Sequence, residues 1–217
     1  MDTLSNIWNW EFAAEVLPEL LETFVRVTLL VTVLGSLIAA ALGLIWAIIL
    51  WSTPAAIEKP FGFVLDFIRM TPLPMHLLLV FYITDWSLIT IGIVVIGIHY
   101  STYMSESYRA GIRAVPKGQW EATTALSLPI GRTWRDVVLP QALRATVPSL
   151  ANWAIAMFKD TPFLIIISVP EMVTVARQFG GRNFAYTEAF TIAGLIFLAA
   201  SYPIAVLTRK LEKRLAY

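Results

Sequence analysis

The sequence contains no cysteine, which excludes disulfides, thiolate metal sites and thiol catalysis. Histidine is nearly absent too. His76 and His99 lie in different apolar segments and are too few for a histidine-built metal cluster. Charge is scarce: Asp, Glu, Lys and Arg make up 14% of the 217 residues, against about a quarter in a soluble domain. No Gly-x-x-x-x-Gly-Lys-Ser/Thr loop occurs, so the chain lacks a phosphate cradle of its own. No nucleophile, base and metal set converges in it, which argues against an enzyme. No basic residue precedes Arg26, and the first apolar run is too long for a signal-peptide core, so no cleavable leader is expected.

What is present is apolar surface, 58% of all residues. A membrane-spanning helix needs roughly 20 mostly apolar residues. Five stretches are expected to span: residues 24–51, 60–84, 86–108, 140–158 and 187–207. In the second, Asp66 and Arg69 mark an interfacial half, and Thr71-Pro72 is a helix-start signal before the deeper half. Basic residues flank the spans unevenly, at 109–144, at 209–214 and at Lys59. The arm before residue 20 is acidic instead, with Asp2, Glu11, Glu15 and Glu19. Lysine and arginine favour the cytoplasmic side, so the N-terminus is expected outside and the C-terminus inside.

Two stretches are less regular. Residues 163–169 are apolar but too short to span, and Pro162 and Pro170 bracket them. Broken backbone at membrane depth is tolerated only when buried in protein or lining a cavity. Residues 160–186 therefore read as a re-entrant or gate-like element, or else as an extracytoplasmic loop with one buried turn. The second irregular stretch is polar and basic. Pro116-Lys117-Gly118 signals a turn, and residues 119–128 are helix-prone up to Pro129. Trp120 and Thr124 share one face of that helix, Glu121 and Ala125 another. By residues alone this is either a connector or a docking element for another protein.

Here the sequence resembles a known family. Glu121-Ala122-Thr123-Thr124-Ala125-Leu126, then Ile130 and Val138-Leu139-Pro140-Gln141-Ala142-Leu143-Arg144, resembles the signature loop of ABC-importer permeases. Arg69-Met70-Thr71-Pro72-Leu73, Tyr103-Met104-Ser105-Glu106, Lys159-Asp160-Thr161 and Val169-Pro170-Glu171 match its polar-amino-acid branch, in order, across residues 20–217. The resemblance implies an all-α integral membrane protein with the type I ABC importer fold, multi-pass in a bacterial inner membrane. It implies an extracytoplasmic arm at 1–19 and a permease domain at 20–217, with a coupling loop at about 114–136. Gly118, Gln119, Trp120, Glu121, Ala122, Ala125, Leu126 and Ser127 are the implied coupling residues. The implied partners are a cytoplasmic ATPase dimer, a second and homologous permease chain, an extracytoplasmic solute-binding protein and the bilayer, with no nucleic acid. ATP and Mg²⁺ belong to the ATPase, and this chain is expected to hold no cofactor or metal.

The departures from the family pattern carry information. Ser127 stands where the family usually has glycine, and Asn152-Trp153 where it often has Asn-Glu. An aromatic in place of an acid argues against a strongly cationic solute. The runs at 99–103 and 156–162 look most like permeases for ectoine and hydroxyectoine, with another polar amino acid such as glutamine or glutamate as the alternative. An accessory membrane protein without a transport role is the rival from a different class.

Polar residues inside spans are functional candidates. His99, Tyr100 and Tyr103, facing Asn152 and Trp153, are the candidate solute pathway, because aromatic faces favour the cationic end of a zwitterion. The competing reading is ordinary helix packing. Lys159, Asp160 and Thr161 are a candidate outer gate or an interfacial anchor. Asp66 with Arg69, and Glu106 with Arg109, have the spacing of local ion pairs on one helix. His76 has no assigned role.

Overall fold

The computed structural model describes residues 8–215, which form eight helices joined by short turns. Asp2 of the acidic arm and the C-terminal Tyr217 lie outside the described residues. Helix α1 runs unbroken from Trp10 to Ser52, 43 residues or about 65 Å. It therefore contains the first expected span and also half of the expected arm. Asn9 starts it, its side chain accepting from the Glu11 backbone N–H at 2.8 Å. A π-helical turn at Phe24–Thr28 marks where the acidic first part gives way to the apolar run. Beyond that turn, Gly35, Ala39, Gly43 and Ala47 recur every four residues and are buried. Small residues at this spacing let two helix backbones approach. A Cβ on Gly43 would meet the Ser101 carbonyl oxygen at 3.0 Å, so the neighbouring helix sits against bare backbone.

The second expected span is not straight. Helix α2 (Ala55–Met70) and helix α3 (Leu73–Ile83) meet at a 100° bend. Pro72 offers no N–H and pushes Thr71 into extended geometry, with φ −86° and ψ 136°. The Thr71 hydroxyl then donates to the Phe67 carbonyl at 2.7 Å, closing the end of α2. Among the described residues, four helices are long and apolar enough to cross a membrane, and the bent pair counted as one makes five.

Helix α4 (Leu88–Ala114) is the centre of the fold, packed against α1 on one side and α6 on another. The short helix α5 (Lys117–Ala125) follows. Helix α6 runs from Ile130 to Ile167, ten residues ahead of the expected start of span four. Residues 163–167 are its 3-10 tail rather than a separate element, and Ser168 ends it in the left-handed region at φ 59°. Helix α7 (Met172–Asn183) then packs on α1 and on the last helix, α8 (Tyr186–Leu215). Val16, Leu20, Met172, Ala176, Phe179 and Ala189 belong to the apolar cluster between them. The stretch at 160–186 is thus helical and packed, not an open loop.

Glu171 caps α7 between two candidate spans. It is fully buried, accepts from the Thr174 backbone N–H at 2.7 Å, and leaves its Oε2 without a partner. Burial pushes its pKa above the usual carboxylate range, against a smaller pull from the Val173 and Thr174 backbone N–H groups. The folded state holds this proton more tightly than the unfolded chain. Its stabilising contribution is therefore present below the ordinary carboxylate pKa and lost as pH rises through the raised one. Glu171→Gln keeps an acceptor for the cap and removes the titration. Its thermal unfolding in detergent is expected to depend less on pH, as pH rises above the ordinary carboxylate range, than that of the native chain. An unchanged pH profile would show that Glu171 carries no such dependence.

Candidate functional site

Two regions hold the expected site residues. The first is α5. Pro116 opens the helix, and a paired C-terminal motif closes it: the Leu128 N–H donates to the Thr123 carbonyl at 3.0 Å, and the Ser127 N–H to the Thr124 carbonyl at 2.9 Å. That motif requires the left-handed region at Ser127, which adopts φ 49°. Glycine suits such a position, so Ser127 holds the left-handed turn at a modest backbone cost.

Trp120 points inward. Its ring stacks on Trp51, with centroids 6.0 Å apart, and meets Trp134 edge-on at 5.7 Å. Gly118, Gln119, Glu121, Ala122, Ala125, Leu126 and Ser127 are exposed. Leu126 and Ile130 are 71% and 70% exposed, an apolar pair next to the small residues of the outer face. Of the eight expected coupling residues, Trp120 anchors the helix and the other seven are open to a neighbour.

The second region lies where α3, α4 and α6 meet. The His99 ring lies 5.4 Å from His76 and 5.4 Å from Tyr103, and Tyr103 lies 4.7 Å from Trp153. The Tyr100 hydroxyl donates to Asp160 at 2.7 Å, and the Trp153 indole N–H to Ser107 at 2.9 Å. His99 Nδ1 is buried without a hydrogen-bond partner. Four of the five expected pathway residues therefore meet, and His76 joins them. Asn152 does not. It is exposed, because one residue along a helix turns roughly 100° away from its neighbour Trp153.

The three expected gate residues diverge for the same reason. Asp160 faces the aromatic cluster. Lys159 is exposed beside Phe190 and Phe197, along a different cavity. Thr161 is buried, its hydroxyl donating to the Phe158 carbonyl at 2.9 Å.

Three cavities follow this face of α4. The first, about 290 Å³, includes Arg69, His99, Tyr103 and Asp160. The second, about 430 Å³, shares Arg69 and Tyr103 with it and adds Glu106, Ser107, Ser149 and Trp153. The third, about 640 Å³, shares Gly111, Ala114 and Ala145 with the second and reaches Pro116, Gln141 and Arg144. Successive α4 residues on this route, His99, Tyr103, Glu106 and Ala110, have helical one-face spacing. The expected ion pairs are present, Arg69 with Asp66 and Arg109 with Glu106 at 3.0 Å. Sequence reasoning missed that Arg69 and Glu106 also line cavities. The spacing of Glu106 from His99, two helical turns, was the signal available.

The family described as "binding-protein-dependent transport system inner membrane component" matches residues 39–217. A probable amino-acid ABC transporter permease protein of Sinorhizobium fredii is 34% identical over 94% of this chain and 90% of its own. The chain belongs to the amino-acid ABC transporter permeases. An arginine transport system permease protein of Bacillus subtilis is 30% identical over 95% of this permease and 98% of its own length. The L-cystine transport system permease protein of the same organism is 30% identical over 99% and 96%. The crystal structure of an amino acid ABC transporter with histidines superposes on this permease with a TM-score of 0.86. That likeness covers 95% of this chain and 99% of the other at 26% identity. An inward-facing methionine ABC transporter shares the fold, with a TM-score of 0.79 at 17% identity over 91% and 97%. The permease has the all-helical type I ABC permease fold. It is a multi-pass membrane protein, and its homologues are permease components of transport systems.

Proposed function

We propose that this permease is half of the translocation pathway of an ATP-driven bacterial importer, in the inner membrane, for a small zwitterionic amino acid or a related compatible solute. The observation that carries the coupling role is the anchoring of α5. Trp120 packs between Trp51, at the end of α1, and Trp134, in the first turns of α6, while the opposite face of α5 stays open. A push on α5 therefore reaches two spanning helices through one aromatic wedge, as rigid-body motion. The partner making that push is a cytoplasmic ATPase dimer that holds ATP and Mg²⁺. A homologous permease chain completes the path, and an extracytoplasmic binding protein delivers the solute.

The cavities from His99 to Arg144 supply the route, with Asp160 and the aromatic cluster at its outer end. Relatives are named for arginine and L-cystine. Trp153 in place of an acid favours a zwitterion over a cation here. The finer assignment, ectoine or hydroxyectoine, rests on the runs at 99–103 and 156–162 alone. The test is ATP-dependent uptake of labelled L-arginine, L-glutamine, L-cystine and ectoine by the whole complex in proteoliposomes. Ectoine or L-glutamine is expected to lead, and uptake of none of the four would sink the reading.

The orientation is part of the same proposal: N-terminus outside, with α5 and the C-terminus in the cytoplasm. A reporter active only outside the cytoplasm is expected to work when fused near Arg182 and to fail at Lys117 or after Tyr217. The reverse pattern would invert the topology.

A further inference from the structure

We infer that Arg69 and Glu106 form a second solute station, a binding site for the ammonium and carboxylate groups of one zwitterion, inward of the aromatic cluster. The inference rests on the permease reading above. Both side chains line the 430 Å³ cavity, Arg69 from the end of α2 and Glu106 from α4. That volume is in the range of small-ligand sites. Arg69 Nη1 and Glu106 Oε1 are 3.8 Å apart, longer than the roughly 2.7–2.9 Å of a charge-assisted hydrogen bond. Each already holds a closer partner, Arg69 on Asp66 through Nη2 and Glu106 on Arg109 through the same Oε1. The cavity wall therefore presents one positive and one negative group, each positioned by a second ion pair and only loosely paired with the other. Standard bond lengths put the ammonium nitrogen and a carboxylate oxygen of an α-amino acid roughly 3–3.5 Å apart, so one zwitterion can meet both groups.

The walls fit the same ligand. Tyr103 and Trp153 line the cavity, and aromatic rings attract an ammonium. Tyr103 also fixes the end of α2, its hydroxyl donating to the Arg69 carbonyl at 3.1 Å. Ser107 and Ser149, joined at 2.7 Å, add hydroxyls on the α4–α6 side. Ala110, Gly111 and Ala145 leave the remaining wall low. The connected charges are Glu58, Asp66 and Glu106 against Arg69 and Arg109, an excess of one negative charge. That excess favours the ammonium end and disfavours a solute with net negative charge. Position completes the case. Glu106 lies seven residues beyond His99 on α4, roughly 10 Å further along the route. Arg69 borders both this cavity and the one around His99 and Asp160, so a solute leaving the first meets it next.

The test uses the whole complex in proteoliposomes with saturating binding protein, and labelled L-glutamine, ectoine and L-glutamate as probes. Glu106→Gln and Arg69→Gln are each expected to lower L-glutamine and ectoine uptake roughly ten- to hundredfold, the effect of losing one charged hydrogen bond. Glu106→Gln is also expected to raise L-glutamate uptake relative to L-glutamine. The charge-keeping Glu106→Asp and Arg69→Lys variants are expected to stay within a few-fold of the native complex. Native uptake ratios in the neutral variants would overturn the station alone. So would equal losses in the neutral and charge-keeping variants, which would mark the pair as structural. Absence of uptake by the native complex would instead overturn the permease reading beneath it.

Discussion

Solute uptake is expected to fall by about a hundredfold or more when Glu121 is replaced by lysine or Ala122 by aspartate. Both residues lie on the exposed face of α5, where the proposed ATPase cleft would cover them. A new charge enclosed in a protein interface without a partner costs about 3–5 kcal/mol, enough to unseat a short helix. The fold itself has no reason to fail. Trp120, Thr123 and the closing turn at Ser127 hold α5 from its other face and are untouched. The native pattern is therefore expected for membrane insertion and thermal unfolding, while uptake and solute-stimulated ATP hydrolysis are lost together. Normal uptake with normal ATPase stimulation in both variants would remove α5 from the coupling role.

The second large effect is one of selectivity. Replacing Trp153 by glutamate is expected to move preference toward cationic solutes by about tenfold or more, since an acid in a poorly solvated cavity attracts a cation and repels a carboxylate. Trp153 lies in ring contact with Tyr103 and lines the 430 Å³ cavity, so the new carboxylate would sit near any solute on the route. His99→Ala is expected to lower uptake of every solute while leaving the ATPase attached, because α5 is far along the chain from it. The measurement is uptake of labelled L-arginine against L-glutamine in the reconstituted complex, with ATP hydrolysis followed in parallel. If both variants keep native rates and native ratios, the aromatic cluster is packing and not pathway.

How far the site was legible in the sequence depended on distance along the chain. The α5 motif is local. Its turn signals, its closing proline and its outward small residues lie close together in the chain, and a helix forms there, at Lys117–Ala125 rather than 119–128 because the turn at Ser127 closes it early. The aromatic cluster was half legible. His99, Tyr100 and Tyr103 share one face by helical spacing, but their meeting with Trp153 depends on how α4 crosses α6. Asn152 shows the limit, since one position of helix rotation separates a cavity-lining residue from an exposed one. Arg69 and Glu106 show it from the other direction. Each reads as half of a short-range ion pair, and only the packing of α2 against α4 places both on one cavity.

By itself the sequence determined the membrane class, the number of apolar runs, the polar element between the third and fourth, and the family. The first three follow from one segment at a time meeting either hydrocarbon or water, which composition settles; the family came instead from the resemblance of ordered motifs, above all residues 121–126 and 138–144. Tertiary structure decided what composition is blind to. It continued α1 back to Trp10 and α6 back to Ile130, well beyond their apolar cores. It folded the second run through 100° at Thr71-Pro72, where proline marks a break but not its angle. It also turned Trp120 inward and aligned three cavities along α4. Helix ends, bends and facing directions are set by the surfaces that neighbouring helices offer, and those surfaces come from residues far away in the chain.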